Sequence, residues 1–211
     1  TITGQLSLLM LIEMLEDEGI SVVSANTDGI VVHFPKALQR KYEEVCWDWE
    51  LRTSYELEFT DYRALYSRDV NNYIAIKPDG SIKGKGAYSD PTLMKNPQFV
   101  IVNDAIKAYL GKGTPIEGTV MSCRDVTKFL MVRNVTGGAV WNEEYLGKAV
   151  RFYYSKDVDP ETCIRYAKNG NKVPISDGAV PMMQLSNSVP KDMDRARYIR
   201  MANDALKDFG L

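Results

Sequence analysis

Asp28 is the side chain in this sequence best placed to do chemistry. It lies in Asn26-Thr27-Asp28-Gly29, between two apolar, β-branched runs at residues 20–25 and 30–34. Two such runs around an Asp-Gly step read as strand, tight turn, strand. A carboxylate at a hairpin tip is held rigidly and faces outward, which suits a hard cation such as Mg²⁺. The competing reading is an ordinary turn, since Asn and Asp favour turns by bonding their own backbone.

A second set of residues has the chemistry of phosphate and groove contacts. Lys83 and Lys85 alternate along one strand and therefore point to the same face. Two ammonium groups on one face suit adjacent phosphates, although exposed strands also carry Lys to discourage edge pairing. Tyr73 offers a hydroxyl, and Asn71 offers both a donor and an acceptor. Arg165, Lys168 and Lys172 flank a hairpin tip at residues 168–172, where they can track a phosphate backbone or simply be solvated.

Several elements must hold these groups. Leu6, Leu8, Leu9, Leu11, Ile12 and Leu15 form an apolar stripe close to helical spacing that stops at Gly19 and leads into the Asp28 hairpin. A second helix is expected over about residues 36–50, with Trp47 and Trp49 as core rather than as base-stacking platforms. Strands are expected at residues 55–59, 62–66, 72–77 and 82–87, with Pro78-Asp79-Gly80-Ser81 turning between the last two. Asn96-Pro97 and Thr114-Pro115 read as the starts of two helices. Residues 134–138 read as a loop between Phe129 and a pair of strands at 139–141 and 148–155, and a last helix spans about 192–209. Strands followed by helices argue for an α+β fold, an antiparallel sheet with covering helices followed by a mixed, helix-containing region.

Composition sets the bounds. The chain has 211 residues, 45% hydrophobic and 26% charged, enough for one large core or two small ones. Cys46, Cys123 and Cys163 are far apart and odd in number, so they argue for a reducing, cytoplasmic setting rather than a secreted disulfide framework. The apolar run at residues 6–15 is too short and too charged to span a membrane. Net charge is only −2, but residues 1–61 hold 4 basic and 12 acidic side chains, whereas residues 62–172 hold 17 and 11. An acidic front with a basic middle fits a nucleic-acid surface beside a cation site. No Gly-rich phosphate loop, Cys/His cluster or Ser elbow is present, and the lone His33 reads as structural.

The segment at residues 25–29 resembles the Tyr-Gly-Asp-Thr-Asp-Ser palm hairpin of family B DNA polymerases, matching at Thr27 and Asp28 and departing at Asn26 and Gly29. The ordered run Asn71-Asn72-Tyr73, Asp79-Gly80 and Lys83-Gly84-Lys85-Gly86 is similar to the family's Lys-x-Tyr, Asp-Gly turn and Lys-Gly, with Asn71 in place of the Lys. The likeness is to phage and viral members. It implies that residues 1–90 are the C-terminal part of the palm and 91–211 the thumb and C-terminal region. Asp28 is then a catalytic ligand of a two-Mg²⁺ site completed outside this chain, with Asn26, Thr27 and Gly29 as its supporting turn. Asn71, Tyr73, Lys83 and Lys85 would contact primer–template DNA, and a deoxynucleoside triphosphate would be the second substrate. A helical pattern that begins almost at Thr1 fits a piece of a longer polypeptide whose N-terminal polymerase segments are partners. In a viral member the setting would be the host cytoplasm. Two alternatives stand beside this: a non-catalytic nucleic-acid-binding module with a decayed metal site, and a self-standing protein interaction domain.

Overall fold

A computed structural model describes residues 2–92 and 96–211. The fold is α+β, with antiparallel strand pairing and five α-helices among the described residues. The chain packs into two compact units, Thr1–Tyr62 with Asp69–Asn71, and Arg63–Arg68 with Asn72–Leu211. The step expected near Asp90–Pro91, where strand patterning gives way to helical, falls inside the second of these units.

In the first unit, α1 (Ile2–Asp17) leads into the hairpin of β1 (Ser21–Ala25) and β2 (Ile30–His33), and α2 (Gln39–Thr53) follows a single 3₁₀ turn. Leu11 and Leu15 of α1 and Val45 and Trp49 of α2 are buried with Ile20, and Ile30, Val32 and Phe34 pack against them. The helical spacing of those residues gives each helix one apolar face, and those faces meet. The Trp49 indole N–H donates to the Ser7 carbonyl at 2.6 Å, pinning α2 to α1. Trp49 is therefore core as expected, whereas Trp47, expected in the core with it, stands 64% exposed.

The strand expected at residues 55–59 is absent, and that stretch is irregular. Ser54 takes a left-handed conformation (φ 57°) that ends α2. The N–H groups beyond it bond to side chains, Leu57 to Glu50 Oε1 at 2.6 Å and Tyr55 to Thr53 Oγ1 at 3.3 Å. Alternating polar and apolar residues gave a strand pattern, but the backbone donors are taken by α2's own side chains rather than by a neighbouring strand.

The second unit opens with the sheet β3 (Ala64–Asp69), β4 (Asn72–Ile76) and β5 (Ile82–Lys85), in that spatial order. Helices α3 (Val100–Lys112) and α4 (Ile116–Ser122) follow. Next comes a long hairpin of β6 (Met131–Trp141) and β7 (Glu144–Tyr154), flanked by β8 (Arg165–Tyr166) and β9 (Ala179–Pro181). Helix α5 (Arg195–Lys207) closes the unit, capped by the Asp194 carboxylate, which accepts from the Arg197 N–H. One aromatic-rich core runs through the unit, with Phe99, Phe129, Phe152, Tyr154 and Tyr198 all buried. At its centre the Tyr198 hydroxyl donates to the Phe129 carbonyl and accepts from the Tyr154 N–H, both at 2.9 Å.

Three local expectations are corrected here. Asn96 does not cap α3, because residues 97–98 lie along the start of β6: Val132 N–H bonds the Pro97 carbonyl at 3.0 Å and Gln98 bridges Met131. The helix begins only after Phe99, whose φ of 51° turns the chain. Pro115, not Thr114, stands at the α4 cap, with no side-chain cap bond. Residues 134–138 are not a loop but lie within β6, where Gly137 and Gly138 (φ 86° and 90°) bend the strand through an irregular register. A side chain on Gly138 would collide with the Tyr145 ring.

Candidate functional site

The hairpin places Asp28 where the sequence puts it. The register runs Ser21 opposite His33, Val22 opposite Val32, then shifts so that Ser24 faces Val31 and Ala25 faces Ile30. Asn26 and Gly29 close the turn, Asn26 N–H donating to the Gly29 carbonyl at 2.9 Å. Thr27 and Asp28 are the two exposed residues at the tip.

The turn is made differently from the Asp-Gly device expected of it. The Asp28 N–H donates to Asn26 Oδ1 at 3.1 Å, an Asx turn. Gly29 is not among the glycines with positive φ, and an added Cβ there would meet only Asn26 Oδ1 at 3.7 Å, ordinary contact. Asn26 shapes the tip and leaves the Asp28 carboxylate without a hydrogen-bond donor among the described residues. No cluster of three or more His, Cys, Asp or Glu side chains able to hold a metal occurs among the described residues. The donor set on this chain is one exposed carboxylate, which fits a shared metal site in part and does not complete one.

The second expected set divides in two. On the β4–β5 ladder Tyr73 pairs with Lys85 and Ala75 with Lys83, so Tyr73, Lys83 and Lys85 share a face. Lys85 Nζ lies 5.7 Å from the centroid of the Tyr73 ring, within cation–π reach. Lys83 is exposed and Lys85 half-buried, while Ala75, opposite Lys83, is fully buried, so the face is open on β5 and covered at Ala75 on β4. The opposite face turns Ile74 and Ile76 inward. Gly84 is required by packing, since a side chain there would collide with the Tyr88 carbonyl of the following 3₁₀ turn. Asn71 sits in the β3–β4 turn, where its N–H bonds Asp69 Oδ1 at 2.9 Å.

Arg165, Lys168 and Lys172 come together at one hairpin tip, with Arg165 bridged to Lys172. Two of them are already engaged. The Arg165 guanidinium donates to the Gly170 carbonyl at 3.0 Å, and Lys172 Nζ is 2.8 Å from Asp177 Oδ1. The Lys172 ammonium holds the Asp177 carboxyl below its usual range, chiefly through that hydrogen bond. Lys168 is exposed.

Sequence reasoning passed over Arg195. Its guanidinium reaches back to the end of α4, donating to the Val120 carbonyl and, at 3.0 Å, to the Cys123 carbonyl, and lies 5.0 Å from the Phe129 ring centroid. Burial, followed by the nearby Arg124 charge, pushes its pKa below the ordinary arginine value. No spacing rule links residues more than 70 positions apart, so only the folded chain brings them together.

No helix among the described residues is long and apolar enough to cross a membrane. No protein-family model matches the chain, and no curated protein matches it significantly.

Proposed function

We propose that this chain is part of a family B DNA polymerase, carrying one metal-binding carboxylate and a set of primer–template contacts. The observation that carries the reading is Asp28, exposed at the tip of a hairpin fed by α1 and free of any hydrogen-bond donor among the described residues. Tyr73, the Asp79-Gly80 turn and Lys83-Gly84-Lys85 follow in the family's order, with Tyr73 and both lysines on one sheet face.

In this reading the reaction is attack of a primer 3′-hydroxyl on the α-phosphate of a deoxynucleoside triphosphate, with pyrophosphate leaving. When bound, a pair of Mg²⁺ ions would supply activation of the hydroxyl and neutralisation of the leaving group. Asp28 would contribute one ligand to them from an exposed turn whose backbone is shaped by Asn26. The ammonium groups of Lys83 and Lys85 attract phosphates, and the Tyr73 hydroxyl offers a bond to the sugar or groove edge. A single carboxylate does not displace the firmly held waters of Mg²⁺, so the isolated chain binds the ion weakly and does not polymerise.

The deciding experiment is primer extension by the longest polypeptide that carries this chain, with and without Asp28→Asn. Loss of incorporation with duplex binding retained supports the reading, and unchanged incorporation ends it. The alternative, a non-catalytic nucleic-acid-binding module, draws on the engaged state of Asn26, whose side-chain oxygen serves the turn. No incorporation by the parent polypeptide, together with salt-sensitive duplex binding, would favour that module.

A further inference from the structure

A groove of about 710 Å³ lies in the second unit, where the end of α4, the end of β7 and the start of α5 meet. Arg124, Lys156, Lys191 and Arg195 line it from these separate stretches of chain, together with apolar side chains that include Met121 and Val189. None of the four cations forms an ion pair among the described residues. Other cations in this unit are paired, among them Lys107 with Asp90, Lys128 with Asp104 and Lys172 with Asp177. The carboxylate in the lining, Asp194, is occupied, capping α5 through the Arg197 N–H at 2.9 Å and lying 3.7 Å from the Arg200 guanidinium.

Four converging cations against one carboxylate that is already engaged leave an excess of positive charge in the empty groove, and a bound anion offsets it. Arg195 is fixed by two backbone carbonyls and is half-buried, so part of the electrostatic field is preorganised. Arg124, Lys156 and Lys191 are exposed, and Arg124 is held only by a long bond, 3.4 Å, from its guanidinium to the Met121 carbonyl. The lining holds no aromatic side chain on which a base can stack, so recognition falls on backbone phosphates rather than on bases.

We infer that this groove binds the phosphodiester backbone of a nucleic-acid strand, without sequence preference, through Arg124, Lys156 and Lys191 arranged around a fixed Arg195. The inference rests on the nucleic-acid reading above and adds to it a contact surface distinct from the Tyr73–Lys85 face. A strand reaches the groove either single or as one edge of a duplex, and the phosphate chemistry is shared.

The test is fluorescence anisotropy of the chain with a labelled single-stranded oligodeoxynucleotide and with a labelled duplex, across a salt series. The groove variant is Arg124→Ala/Lys156→Ala/Lys191→Ala. A charge-matched control is Lys112→Ala/Lys148→Ala/Lys207→Ala, all outside the groove. Arg195 is left in place because it ties α4 to α5. The groove variant is expected to bind at least about tenfold more weakly than the control at low salt. Its slope of log K against log salt should shrink by about 0.7 per lost contact for single strands, or about 0.9 for duplex, and the larger effect identifies the form that seats. Equal losses in both variants, no loss in either, or no binding by the parent chain overturns the inference. So does tight groove-dependent binding of labelled polyglutamate in preference to DNA, which assigns the groove to an acidic peptide. Primer extension with Asp28→Asn reports on the polymerase reading separately, since it leaves the groove intact.

Discussion

The Asp28 backbone N–H donates to the Asn26 side-chain oxygen at 3.1 Å, so the residue that shapes the tip lies two positions before the residue that would act there. In the resembled hairpin that earlier position is an Asp. A carboxylate oxygen accepts the same bond, so Asn26→Asp keeps the turn and adds a negative charge beside Asp28. Titration with Mn²⁺, followed by calorimetry, is expected to show roughly tenfold tighter binding than the parent, because added ligand charge raises divalent affinity. Asn26→Ala should leave metal affinity low and cost about 1 kcal/mol of stability through the lost turn bond.

Gly29 and Gly84 make opposite predictions. Gly29 needs no positive φ and has room for a side chain, so Gly29→Ser should change stability by less than about 0.5 kcal/mol in urea denaturation. Gly84→Ala presses a methyl against the Tyr88 carbonyl, a backbone atom, and should cost at least about 1–3 kcal/mol. Equal effects at the two positions would contradict the packing described for both.

Tyr198→Phe should be among the most damaging single-atom deletions in the second unit. It leaves the Phe129 carbonyl and the Tyr154 N–H, both in the core, without the partner they share. The expected loss is about 2–4 kcal/mol, the desolvation penalty for two groups. Urea unfolding followed by tyrosine fluorescence reads it directly.

Alkaline pH should weaken the second unit. Burial pushes the Tyr154 phenol up to about 12, with the Arg197 charge opposing, and burial raises Tyr198 further still. A phenol whose folded pKa lies above its unfolded value of about 10 stabilises the neutral, folded form fully below pH 10 and loses that contribution as pH rises toward 12. Phenolate absorbance should therefore show part of the 12 tyrosines titrating early and a later, cooperative step in which the buried ones titrate together with unfolding.

The chain made its local plan legible and hid its long-range one. Helical spacing at Leu8, Leu11 and Leu15 found α1, and the β-branched runs around residues 26–29 found the hairpin, because both signals repeat within a few residues. Residues 55–59 misled because alternation reports a strand-like face but not whether a partner strand is present to take the backbone bonds. Gly137-Gly138 looked like a break because two glycines usually end a strand, whereas here they let the Tyr145 ring cross the bent strand. At the candidate site, Asp28 and the shared face of Lys83 and Lys85 followed from period and turn chemistry. Arg195 did not, since its partners at Val120 and Cys123 are set by how α4 meets α5 and by nothing local.

The Tyr198 hydroxyl joins positions 44 and 69 residues earlier in the chain. During synthesis on the ribosome, the core around Phe129 and Tyr154 cannot reach its final packing until α5 has emerged from the exit tunnel, whereas the first unit's core lies between Leu8 and Leu57. The first unit is free to fold early, while the β6–β7 hairpin waits with apolar residues uncovered, so nascent chains stalled before α5 should be the species that chaperones hold.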